Sequence, residues 1–205
     1  MPNRLEGAKA LVTGINSGVG CAIGQELAAR GVDIVGSYHP QHAQAGVGIE
    51  AARRKIASLG RMIELLPLDQ TDPEDIARAV AETKNILGGL DVLVTVASRQ
   101  SPEEFLDMTT GEIQRQIEVN LIGTILLIRE AANVMIALSN EEGDARRHRS
   151  IAVMGSVRGR IPVKPDAYEA AKGGLHHFVA GMASVLTRHG ISINAVAPGT
   201  IDSPI

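Results

Sequence analysis

Tyr168 and Lys172 stand four residues apart, a spacing that puts both side chains on one face of a helix. A free phenol titrates near pH ~10 and is a poor acid or base at neutral pH. A nearby ammonium favours the phenolate and lowers that value. The pair therefore suits general acid–base work on an alcohol or carbonyl, although Y-x-x-x-K alone also describes two surface residues of many helices. Ser156 precedes Tyr168 by twelve positions and follows an apolar, strand-like run. Ligands of parallel sheets bind beyond the carboxyl ends of strands. Its hydroxyl is thus placed to hydrogen-bond a reacting oxygen, or else it closes a strand-end turn. Asn120 lies between Val119 and Leu121 in a long helical pattern. A polar amide there needs a partner, and a water or a backbone carbonyl would serve.

A second feature is the stretch 9–31, K-A-L-V-T-G-I-N-S-G-V-G-C-A-I-G-Q-E-L-A-A-R-G. A short strand-like run is followed at once by Gly14, Gly18 and Gly20, then by a helical pattern over 19–30 that stops at Gly31. Strand, glycine turn and helix form a cradle for a pyrophosphate. Glycines let backbone approach the phosphates, and the helix N-terminus offers unpaired N–H groups and partial positive charge. A turn whose glycines serve only its dihedral angles is the alternative.

The elements that position these residues alternate regularly. Strand-like runs fall at 10–12, 32–38, 62–66, 91–96, 151–154 and 191–196. Helical patterns fall at 19–30, 41–59, 110–137 and 166–188, and another opens with T-D-P-E at 71–74, running to Leu87 before Gly88 and Gly89. Continuous apolar strands between helices predict a parallel sheet covered on both faces. Right-handed crossovers make it an α/β, three-layer, doubly wound (Rossmann-type) sheet of at least six strands. The 205 residues carry no internal repeat and read as a single domain.

Composition excludes several classes. With a net charge of −3, there is no electrostatic case for nucleic acid or an anionic membrane. Aromatic residues are only 2% of the chain, so Ala, Val, Ile and Leu must build the core. The single Cys21 cannot form an internal disulfide, which fits a reducing compartment. In the first turn of the glycine helix its thiol could have a lowered pKa, or it could be a small packing residue. Residues 1–7 lack the apolar core of a signal peptide. No run approaches the ~20 apolar residues of a membrane span, and the expected location is cytoplasmic. The mixed-charge segment 139–150 reads as a solvated surface loop, with a phosphate patch at Arg146, Arg147 and Arg149 as the lesser reading.

Jointly, these features resemble the short-chain dehydrogenase/reductase family across nearly the whole chain. T-G-x-x-x-G-x-G occurs at 13–20, Leu68-Asp69 follows the third strand, and Asn120, Ser156, Tyr168 and Lys172 fall in the order of the family's catalytic tetrad. N-A-V-A-P-G at 194–199 matches the family's motif after the sixth strand. The resemblance implies a nicotinamide coenzyme exchanging hydride with a carbon that bears oxygen in a small carbonyl or alcohol substrate. Tyr168 would move the proton, and Lys172 would assist it and bind the nicotinamide ribose. Ser156 would orient the substrate oxygen, and Asn120 would support a relaying water. It also implies coenzyme contacts at Gly14, Asn16, Ser17, Gly18, Val19 and Gly20 of the glycine turn. Asp69 would meet the adenine, with Gln70 beside it. Ala97 and Ser98 would lie near the coenzyme, and Pro198, Gly199, Ile201 and Ser203 at its nicotinamide end. A homo-oligomer, dimer or tetramer, is implied as well.

Coenzyme choice rests on the end of the second strand. NAD-using members carry an acid there, which pairs with the ribose 2′-hydroxyl and repels a 2′-phosphate. This chain has Ser37, Tyr38 and His39, which favours NADP(H) over NAD(H), with Ser37 and His39 as phosphate contacts. Three departures from the family pattern stand out. T-V-A-S at 95–98 replaces N-N-A-G, the gap from Ser156 to Tyr168 is one residue short, and the sequence stops at Ile205. Family members usually continue into a substrate lid, a seventh strand and a last helix. A degenerate, non-catalytic nucleotide- or partner-binding relative is the alternative that these departures suggest. A flavodoxin-like domain would explain the alternation but not the Tyr-Lys pair. Arg158, Arg160 and Lys164 could attract an acidic substrate group or form a solvated basic loop. Residues 99–109 are expected at the pocket rim.

Overall fold

A computed structural model describes residues 5–143 and 147–202. Six strands, β1 Lys9–Thr13, β2 Asp33–Tyr38, β3 Ile63–Pro67, β4 Val92–Thr95, β5 Arg149–Met154 and β6 Ile191–Val196, form one sheet in the order β3-β2-β1-β4-β5-β6. Every pairing is parallel. The order reverses between β1 and β4, and such a switch point opens a crevice at the carboxyl ends of the strands.

Strand side chains alternate between the two faces. Leu11, Val35, Leu93 and Ile151 pack with α3 Pro73–Leu87, α5 Thr124–Glu142 and α6 Ala167–Thr187. Ala10, Val12, Ile34 and Val94 pack instead with α1 Gly18–Ala29 and α2 Ile49–Ala57. The expected three-layer, doubly wound sheet is therefore present. Both bounds of α3 have local causes. Asp72 caps its N-terminus by accepting from the Glu74 N–H, and Gly88 ends it in a left-handed conformation.

Elsewhere the elements differ from expectation. The helix expected over 41–59 is a 3₁₀ turn at Pro40–His42 followed, after Gly46 and Gly48, by the shorter α2; both glycines have positive φ, which a continuing helix excludes. The helix expected over 110–137 is α4 Thr110–Ile117, a π-helical segment Glu118–Gly123, and α5. This run is long and apolar enough to cross a membrane by length and composition, contrary to the sequence reading. One face of it nevertheless lies in the core through Leu127, Ile128, Ala131 and Met135. Cys21 is buried, and burial pushes its thiol pKa up rather than down, which leaves the packing role.

The segment 139–150 is also not simply a solvated loop. Residues 139–142 complete α5, and Arg149 opens β5 with 1% of its surface exposed. Its guanidinium bonds Ser139 Oγ at 2.7 Å, the Glu142 carboxylate at 2.7 and 3.1 Å, and the Leu90 carbonyl at 3.3 Å. Arg147 reaches the Gly7 carbonyl and Asp91. Arg147 and Arg149 are thus engaged internally and form no free phosphate patch, while Arg146 lies outside the described residues. Removing one member of a buried ion pair is costly because the partner is left uncompensated. Arg149→Ala is expected to destabilise the fold by about 3 kcal/mol, read as a lowered urea midpoint. Coenzyme affinity should be unchanged, because Arg149 lies at the amino end of β5 and the crevice lies at the other.

Candidate active site

β5 delivers Ser156 to the crevice, and α6 delivers Tyr168 and Lys172. Asp166 caps α6 by accepting from the Glu169 N–H at 2.8 Å, so Tyr168 falls in the first turn and Lys172 one turn on. The Lys172 Nζ lies 5.5 Å from the centre of the Tyr168 ring and donates to the Met154 carbonyl at 2.7 Å. Lys172 is 3% exposed. Burial pushes its pKa down to about 8, which still leaves it mainly cationic at neutral pH.

Arg158 is a further cation at the site, 5.0 Å from the Tyr168 ring centre. Its guanidinium is held by Asp166 at 2.7 Å, Glu169 at 3.0 Å and the Lys164 carbonyl at 2.8 Å. Ser156 Oγ accepts from the Arg158 N–H at 3.2 Å. Lys164 meets Glu104 and the Pro102 carbonyl, each at 3.2 Å. Arg158 and Lys164 are thus tied to partners, not to a solvated loop or a free anion site, and Lys164 latches the 99–109 loop to the segment before α6.

Asn120 is fully buried in the π segment. Its Oδ1 accepts from the Arg99 N–H at 2.8 Å and its Nδ2 donates to the Arg99 carbonyl at 2.6 Å. The amide partner is therefore backbone, and it fixes the chain just after β4. Arg99 itself clasps Glu112 at 2.7 and 3.1 Å and holds that carboxyl below its usual range. π segments inside helices recur at functional sites, and this one turns Asn120 inward.

The glycine turn fits a pyrophosphate. Gly14 has a φ of +67°, and a Cβ there would lie 2.9 Å from the Ala97 nitrogen. A Cβ on Gly20 would lie 2.1 Å from the Gly14 carbonyl oxygen. Ser17 caps α1 by accepting from the Gly20 N–H. The N–H groups of Gly18 and Val19 have no acceptor among the described residues and stand as free donors at the N-terminus of α1. Asn16 braces the turn by donating to the His42 and Ala45 carbonyls at 2.9 and 3.2 Å. Thr13 Oγ1 accepts from Val96 and Ala97 N–H groups and so joins β1 to the end of β4.

The remaining expected contacts are placed unevenly. At the β2 and β3 ends, His39 Nε2 lies 3.5 Å from Asp69 Oδ2. Burial raises the Asp69 pKa, but hydrogen bonds from Thr71 and the nearness of His39 outweigh it and hold the carboxyl below its usual range. Tyr38 is half-buried beside them, whereas Ser37 is 1% exposed. Gln70 turns inward and donates to the Val119 carbonyl of the π segment at 3.5 Å. Ala97 is half-buried and Ser98 exposed. Pro198 accepts from the Val157 N–H at 3.0 Å, and Gly199 is exposed next to it. Ile201 borders, with Gly18, Val19 and Cys21, a cavity of about 530 Å³. Ser203 lies outside the described residues. Sequence reading missed the stacking of Arg158 on Tyr168, since residues ten apart share no helical or strand period, and the clamp made by Thr13.

A doubly wound sheet with a glycine cradle at its switch point and a buried Tyr-Lys pair beside it defines a nucleotide-binding α/β oxidoreductase. The short chain dehydrogenase family model matches residues 8–205, and the chain belongs to that family. It is 32% identical over 206 residues to General stress protein 39 of Bacillus subtilis, spanning 99% of this chain and 67% of that one. To a sorbitol dehydrogenase of Cereibacter sphaeroides it is 31% identical over 199 residues, spanning 97% and 72%. A short chain dehydrogenase of Burkholderia cenocepacia, solved in complex with NADP, superposes with a TM-score of 0.84 at 30% identity, covering 98% of this chain and 77% of the other.

Proposed function

We propose that this protein interconverts a small carbonyl compound and its secondary alcohol, with Tyr168 as the general acid and base. The reading is carried by one observation: a buried Lys172 ammonium with no carboxylate partner among the described residues lies 5.5 Å from the Tyr168 ring. When bound in the crevice, the nicotinamide coenzyme supplies or accepts hydride. Gly18 and Val19 N–H groups hold the pyrophosphate, with Asn16 and Ser17 keeping the turn in shape. In the reducing direction Tyr168 gives its proton to the substrate oxygen, and Ser156 Oγ orients that oxygen. Lys172 stabilises the charge left on the phenol oxygen. Asn120 keeps the floor of the site in place through Arg99.

NADP(H) is our preferred coenzyme, because no acid stands at the end of β2, where Tyr38 and His39 are half-buried. Location in the cytoplasm fits the unpaired Cys21. A homo-oligomer rests on family resemblance alone. The test is coenzyme fluorescence on titrating NADPH and NADH, followed by turnover over a panel of ketones and secondary alcohols. We expect kcat/KM to favour NADPH by about tenfold, on the order of one missing repulsive carboxylate. A preference for NADH overturns the coenzyme assignment. Coenzyme binding with no turnover on any substrate overturns the reaction.

A further inference from the structure

His176 is a chemically competent side chain that the reaction above does not use. It lies one helical turn beyond Lys172 on α6. Its Nε2 accepts from the backbone N–H of Ser156 at 3.4 Å. A Cβ on Gly155 would come within 2.2 Å of that same Nε2 and 2.9 Å of the Val196 carbonyl. The 155–156 turn is therefore clamped between an imidazole on one side and β6 on the other, where the Gly155 N–H donates to the Val196 carbonyl at 2.7 Å.

We propose that His176 is a positioning residue, whose neutral imidazole holds the Ser156 backbone so that the serine hydroxyl faces the reacting oxygen. This rests on the oxidoreductase reading of the site. An imidazole that accepts at Nε2 carries its proton on Nδ1, and that nitrogen is buried with no hydrogen-bond partner among the described residues. Protonation would turn the acceptor into a donor facing another donor and so release Ser156.

The charges around the ring keep it neutral. Burial first, then the cations Arg160 and Lys172, push its pKa below the ordinary histidine value. The other charged groups nearby are committed or turned away. Arg158 is bound to Asp166 and Glu169, Glu112 of α4 is bound to Arg99, and Glu118 of the π segment and His177 of α6 are exposed. β6 carries no ionisable side chain. The hold on Ser156 is thus present at neutral pH and is lost as pH falls below the ordinary histidine range.

Nuclear magnetic resonance of the coenzyme-free protein tests the clamp without reference to catalysis. Between pH 8 and 5, the Ser156 amide should shift in step with the His176 ring, and this coupled shift should vanish in His176→Gln, whose amide oxygen accepts but does not titrate. In turnover assays, His176→Leu should lower kcat roughly fivefold, the scale of one lost hydrogen bond, with coenzyme affinity unchanged. His176→Gln should keep most of kcat and lose the wild-type decline on the acid side. A Ser156 amide that ignores the His176 titration overturns the proposal, as does a folded Leu variant with unchanged kcat and pH profile. If the Leu variant does not fold, the resonance experiment and the Gln variant decide alone. Failure of the oxidoreductase reading shows separately, as an inactive wild type whose Ser156 amide still follows His176.

Discussion

Tyr168→Phe is expected to reduce turnover by about three orders of magnitude while the protein stays folded and binds coenzyme. A positioned general acid or base contributes on the order of 10²–10⁴ to rate, and the neighbouring carboxyls, Asp166 and Glu169, are tied to Arg158. Phenylalanine keeps the ring that Arg158 and Lys172 face. The phenol oxygen has no intramolecular hydrogen-bond partner among the described residues, so its removal orphans nothing. Stopped-flow fluorescence for coenzyme binding and steady-state assays for turnover separate the two effects. A variant with undiminished turnover would remove Tyr168 from the chemistry.

Lys172→Met carries the second large effect, and it acts in opposite directions on activity and stability. Turnover should fall to background, because the charge that supports the phenolate is gone. Stability should rise. The ammonium is 3% exposed, and its pKa is pushed from 10.5 down to about 8 by burial. That shift corresponds to about 3 kcal/mol of disfavoured charge. Methionine forfeits the bond to the Met154 carbonyl, a loss of about 1 kcal/mol, so a net gain near 2 kcal/mol is expected at pH 7. The pH dependence has a definite sign. Below about 8 the lysine is charged in both folded and unfolded chains, and the penalty is constant. Between about 8 and the unfolded value of 10.5 the unfolded chain binds the extra proton, so wild-type stability rises with pH. Urea unfolding of both proteins at pH 7 and pH 10 should show the gap closing on the alkaline side. A variant several kcal/mol less stable at pH 7 would contradict the account.

Much of the architecture is written locally in the chain. The runs at 34–35, 92–94 and 151–153 are short apolar stretches between helical patterns, which suits strands of a covered parallel sheet. α3 begins and ends where a cap and a left-handed glycine dictate. Tyr168 and Lys172 were legible because four residues make a helical turn. What sequence reading missed depends on partners far away along the chain. Arg149 looks like part of a polar loop until Glu142, Ser139 and Leu90 surround it. Arg158 and His176 gain meaning only because the 155–166 segment folds back onto α6. The run at 110–137 contains no proline that would mark the π segment or announce a change of helical geometry at Asn120.

That change of geometry has a consequence for how this stretch can vary. An α-helix advances 100° per residue, and the wider π turn holds one residue more than an α turn would. α4 and α5 are therefore two cylinders set out of phase by a single residue, with Asn120 at the joint. Deleting any one residue between 118 and 123 lets the two halves merge into one continuous helix. The core stripe through Leu127 and Met135 would then survive, as would the phase of α4, and the loss would fall on the joint itself, where the amide would lose its grip on Arg99. Length at the joint is thus held fixed more strictly than composition, and neutral drift there should proceed by substitution and not by insertion or loss.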